Sequence, residues 1–137
     1  MLKKLTLVLF VVALASCDNK NSYCPDKVCT ADFAMITVRF IDKDGEGVGV
    51  KNYSAVNQRT NDTIKTVGNA YILLTKGTHI VVDDSYTEKL SETGDDIKVS
   101  GTDSVSNQTK TAIIKVAAGK CACHITKVSG PEQIQFD

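Results

Sequence analysis

Alternation of apolar and polar residues begins near Phe33: Ile36, Val38 and Phe40 alternate with Thr37, Arg39 and Ile41, which predicts a strand with one buried face. A Gly-rich turn follows at Asp42-Lys43-Asp44-Gly45-Glu46-Gly47, and Val48 to Val56 resumes an extended run, so the two strands either pair or cross between sheets. Further strands are expected over Thr63–Val67, Ala70–Thr75 and Thr78–Val82, separated by Gly68-Asn69 and Lys76-Gly77, which tolerate positive φ. Ser85-Tyr86-Thr87-Glu88 has capping-box spacing and Gly94 falls where a left-handed cap is common, predicting a helix of about two turns. Beyond it, Ile97, Val99 and Gly101 alternate with Lys98 and Ser100. A polar turn covers Asp103 to Gln108, and Ala112, Ile114 and Val116 alternate with Thr111, Ile113 and Lys115. Gly119 leads into a strand expected from Cys121 to Val128, and after Gly130-Pro131 a short strand, Ile134–Phe136, closes an edge. The pattern predicts an all-β Greek-key sandwich of about seven or eight strands with one short helix.

The first 17 residues, MLKKLTLVLFVVALASC, break this pattern. Lys3 and Lys4 form a positive head, and Leu5 to Ala15 is apolar except for Thr6. A membrane-spanning helix needs about 20 apolar residues, so the run fits the apolar region of an export signal better than a permanent span. Leu14-Ala15-Ser16-Cys17 resembles the lipobox of bacterial lipoproteins at all four positions. That resemblance implies that Cys17 takes a diacylglycerol and becomes the mature N-terminus after removal of residues 1–16. Each buried CH₂ contributes about 0.8 kcal/mol, so the two or three chains of such a cysteine hold firmly. Residues 17–23 then form a lipidated terminus and polar tether, and 24–137 the folded domain. Asp18 is a retention signal for the inner membrane in enteric bacteria, a rule not shared by all diderm groups. The expected location is the cell envelope, lipid-anchored at the outer membrane.

Composition changes the picture only slightly. Lys and Arg total 16, as do Asp and Glu, and losing Lys3 and Lys4 with the signal leaves a small acidic excess. No broad basic field exists to attract nucleic acid. The order of strands, DG turn, hairpins and a short helix before the last strands resembles the Ig-like, transthyretin-like and carboxypeptidase-regulatory-like sandwiches, which bears on fold alone. YCPDKVCTADF near the start and CACHITKVSGPEQIQFD at the end are similar to lipoproteins of the Bacteroidota, a likeness that implies no activity.

With Cys17 carrying lipid, Cys24, Cys29, Cys121 and Cys123 remain, an even number in a chain that folds outside the cytosol, so two disulfides are expected. In a strand Cys121 and Cys123 would lie roughly 6.6 Å apart, near the limit of what a disulfide bridges. Each pairs more easily with Cys24 or Cys29, in either combination, clasping the N-terminal segment onto a late strand. A metal site on Cys-x4-Cys and Cys-x-Cys-His ranks lower, because in a strand the His124 imidazole leaves the face opposite both thiols. A redox role ranks lower too, without a Cys-x-x-Cys at a helix start.

Asp42, Asp44 and Glu46 share one turn, and Asp83-Asp84 and Asp95-Asp96 flank the helix, so calcium is conceivable if these carboxylates converge at one end of the sandwich. Solvated turns are the simpler reading, and no cofactor is expected. His79 and His124 lack a neighbouring Ser or Cys nucleophile, no Lys–Asn pair stands out for an isopeptide bond, and Tyr53, Tyr71 and Tyr86 read as packing residues. The expected function is a non-catalytic binding or structural module meeting an envelope protein or glycan partner. An accessory subunit of a transport or secretion complex is the alternative, with a metal-binding or enzymatic role third.

Overall fold

The computed structural model describes residues 24, 27–65 and 75–137. The export segment, Cys17, the tether, Tyr71 and the strand expected over Ala70–Thr75, apart from its last residue, lie outside them.

Among the described residues the chain forms two sheets. In one, β1 (Met35–Ile41), β3 (Thr78–Asp83) and β7 (Gln133–Gln135) lie in the order β3-β1-β7. In the other, β2 (Val50–Asn57), β4 (Asp95–Asp103), β5 (Thr109–Ala117) and β6 (Thr126–Ser129) lie in the order β2-β4-β5-β6. Neighbours are antiparallel except β1 and β7, which run parallel. The all-β sandwich is therefore observed, and β1 and β2 cross between sheets instead of pairing.

The period-two pattern becomes the core. Ile36, Val38 and Phe40 of β1 face Ile97 and Val99 of β4 and Ile114 and Val116 of β5 within one buried cluster, completed by Val81, Val82, Ile134 and Phe136. Phe40 is its centre: fully buried, its ring stacks on Phe136 at 5.7 Å between centroids and meets Tyr53 and His79 edge-on at 6.2 and 5.8 Å. Gly101 permits this approach from the opposite sheet, because a Cβ there would stand 2.7 Å from the tip of the Phe40 ring. The Tyr53 hydroxyl spans the layers, donating to the Ile80 carbonyl at 2.9 Å.

Turn chemistry follows the expected residue types. Asp42 accepts the amides of Asp44 and Glu46, both at 2.9 Å, and Gly45 takes φ of 84°. Asp103 holds the β4–β5 turn likewise, accepting from Val105, Ser106 and the Ser106 hydroxyl, with a lowered pKa caused mainly by Ser106.

Three expectations need correction. The helix is a 3-10 segment, Asp84–Lys89, capped by Asp83 instead of Ser85: the Asp83 carboxylate accepts from the Ser85 amide at 3.0 Å. Six residues are too few for the expected α-helix, and i to i+3 bonding serves short segments. Leu90 ends it in extended conformation, and Gly94, with φ of 89°, instead bends the turn into β4. Second, in the expected Thr63–Val67 strand, Thr63 makes an isolated bridge to Val56 and Ile64 and Lys65 are not in a strand, while Thr66 and Val67 lie outside the described residues. Third, β6 begins at Thr126, because Cys121 and Cys123 lie in a turn that Ala122 closes by donating to the Gly119 carbonyl at 2.9 Å.

Candidate functional site

The residues preceding β1 form a strap across one end of the sandwich. That end gathers the start of β1, the end of β3, the 3-10 helix, the start of β4 and the Gly119–Ile125 turn. Two disulfides hold the strap there, Cys24–Cys121 and Cys29–Cys123, with Cα separations of 5.6 and 5.3 Å. All four cysteines are thus consumed, in one of the two cross-pairings left open by their spacing. The Lys27 ammonium adds a hydrogen bond to the Ala122 carbonyl.

Asp84, the first residue of the 3-10 helix, ties three segments together. Its Oδ2 accepts from the Ala34 amide at 2.7 Å and lies 2.7 Å from His124 Nδ1, while Oδ1 accepts from the Ile125 amide at 2.9 Å. The Asp84 amide returns a bond to the Ala34 carbonyl at 3.1 Å. On the other side of the imidazole, His124 Nε2 stands 3.0 Å from the Thr30 hydroxyl. Partial burial pushes the Asp84 carboxyl up, but the donors from His124, Ala34 and Ile125 outweigh it and hold it below the usual carboxylate range. An ionised Asp84 is a pure acceptor, so the Nδ1 proton points to it.

The expectation that the His124 imidazole leaves the face opposite the thiols is overturned. It rested on a strand through Cys121–His124; in the observed turn both Cys123 and His124 meet the strap, one at Cys29 and the other at Thr30. Carboxylate, imidazole and hydroxyl stand in the order of a hydrolytic relay, a grouping missed because its members are 40 and 94 residues apart. Thr30 is exposed on the strap, and the relay's amide bonds give it a fastening role.

The same end carries a second fastening. Asp95 is buried and receives Arg59 through both oxygens at 2.7 and 2.8 Å, the Asn57 amide at 2.7 Å and the Ser91 hydroxyl at 2.7 Å. The Arg59 hydrogen bonds, opposed by burial and aided by Ser91 and Asn57, hold its carboxyl far below the ordinary range, and Arg59 is raised in turn. Arg59 also donates to the Lys89 carbonyl, joining the β2 turn to the helix end.

The acidic residues considered for calcium do not converge. Asp42 follows the last residue of β1, whereas Asp84 bonds Ala34 just before its first, so they sit at opposite ends of a strand about 20 Å long. Asp83 caps the helix, Asp95 is neutralised by Arg59, and Asp42 is occupied by the amides of its own turn. Among the described residues no three of His, Cys, Asp and Glu form a group able to hold a metal. His79 is a packing residue, stacked on Tyr53 at 4.4 Å and with its pKa lowered by burial. Tyr86 bonds the backbone of Lys65, carries the Lys89 ammonium 4.6 Å from its ring centre and lines a shallow cleft of about 130 Å³ with Asn57, Thr60, Asp62 and Ile64.

Comparison of the chain with protein-family models, curated proteins and solved structures finds no match. No helix among the described residues is long and apolar enough to cross a membrane.

Proposed function

We propose that this chain is a bacterial envelope lipoprotein, held by lipid on Cys17 at the outer membrane, whose sandwich is a non-catalytic binding or structural module for a protein or glycan partner. One observation carries the reading: the segment that begins seven residues beyond Cys17 is fastened to the domain by two disulfides and the Asp84 junction. Covalent fastening next to an acylated terminus is what a domain needs if force or orientation is to pass from membrane to partner. Disulfides also suit an oxidising compartment, as export requires.

The test compares the wild-type chain with Cys17→Ser in an envelope-bearing bacterial host. The wild type is expected to fractionate with membranes and show a mass increment of two or three acyl chains on residue 17. The variant is expected to keep its signal and lose the increment. A wild-type protein that is soluble and unacylated would sink the proposal. In-cell crosslinking then reads the partner, and a single stoichiometric membrane complex would make the chain an accessory subunit.

A further inference from the structure

We propose that the clasped end of the sandwich rests on the bilayer surface, with Val28, Phe33 and Met35 in contact with the lipid interface. This rests on the reading of Cys17 as the acylated residue.

Three large apolar side chains within the eight residues from Val28 of the strap to Met35, the first residue of β1, are turned to solvent: Val28 is 94% exposed, Phe33 57% and Met35 40%. The bonds from Cys24 and Cys29 to the Gly119–Ile125 turn, together with Ala34 on Asp84, fix the strap on the outside of the sandwich. Among the described residues, the other exposed large apolar side chains lie elsewhere: Ile113 and Val128 on β5 and β6, and Val105 in the β4–β5 turn at the far end.

The occupant follows from chain length. Cys17 and Cys24 are seven residues apart, and a chain reaches at most about 3.6 Å per residue, so an acylated Cys17 keeps Cys24 within about 25 Å of the acyl chains. Val28 follows Cys24 by four residues and lies between the two bridged cysteines. The exposed apolar residues of the strap are therefore those the anchor brings nearest to lipid, and apolar side chains gain by entering the interface. Val105 lies beyond the length of β4 from the clasp, about 30 Å away.

The chain has no Trp, so single reporters can be introduced cleanly. Phe33→Trp, Val28→Trp and Val105→Trp would be made in the full acylated protein and reconstituted into phosphatidylcholine–phosphatidylglycerol vesicles with brominated acyl chains. Emission from positions 33 and 28 is expected to shift to the blue and to be quenched at least twofold more than emission from position 105. Equal quenching at all three, or none at 33 and 28 while the protein still floats with the vesicles, overturns the inference and leaves the lipoprotein reading standing. A blue shift at position 33 without quenching by bromine means that protein covers the patch, and also overturns it. Failure of the wild-type chain to float with the vesicles overturns both.

Discussion

Single atoms decide how the ends and the centre of this sandwich are held. Asp95 is the clearest case, a buried carboxylate that accepts four hydrogen bonds from three residues on two chain segments, Asn57 and Arg59 at the end of β2 and Ser91 before β4. Its folded pKa is depressed, so between that value and the unfolded one the unfolded state binds more protons. Its stabilisation is complete above the unfolded value of about 3.9 and is lost as pH falls through the folded one. Equilibrium unfolding of Asp95→Asn as a function of pH is therefore expected to show a shallower loss of stability below about pH 5 than the wild type. At neutral pH the same change should cost about 2–3 kcal/mol, less than for a fully buried pair because the Arg59 side chain is 52% exposed and regains water. Gly101 makes an opposite demand, for absence of atoms. Gly101→Ala is expected to cost about 1–3 kcal/mol by urea denaturation, since the Phe40 ring it meets is locked by Phe136, Tyr53 and His79.

At the scale of elements, what could be read from sequence is what depends on neighbours in sequence. Ile36-Val38-Phe40, Ile97-Val99 and Ile114-Val116 alternate because one face of each strand is buried, and every one of these residues is buried. The Asp42 and Asp103 turns were legible for the same reason, their hydrogen bonds running two to four residues along the chain. The helix type and the start of β6 were not. Cys121-Ala122-Cys123-His124-Ile125 is a short run of mostly apolar residues after a glycine and so reads as a strand, but its geometry is dictated by partners more than 90 residues away, at Cys24, Cys29 and Thr30. Likewise nothing local marked Asp84 as the residue on which strap, helix and turn meet. The bridges close loops spanning separations of 97 and 94 residues, nearly the same loop twice. Removing one pair by Cys→Ser substitution should therefore cost little, whereas removing both should cost about 4 kcal/mol, read from urea midpoints of the single-pair and double-pair variants.

For the molecule as a whole, the two ends of the sandwich are unlike. One is occupied by strap, disulfides, helix and the Asp84 and Asp95 junctions. Among the described residues the other carries the Asp42–Gly47 and Asp103–Gln108 turns and the Lys76–Gly77 segment, and Val105 there is 88% exposed. On the proposed reading, in which lipid on Cys17 tethers the first end, the second end and the sheet faces are left to meet a partner. A photo-crosslinking residue at position 105 is thus expected to capture an envelope partner in intact cells more strongly than one at position 120, beside the clasp, as read by mass-shifted bands.

The order in which the half-cystines leave the ribosome has a consequence for how this protein matures. Cys24 and Cys29 come out early and within five residues of each other, while their native partners follow almost a hundred residues later. If the chain is exported as proposed, the first bond within reach during translocation is therefore a local, non-native one between the two early thiols. The native clasp requires that bond to be avoided or reshuffled, so correct maturation of this chain is expected to depend on a thiol–disulfide isomerase of the compartment it enters.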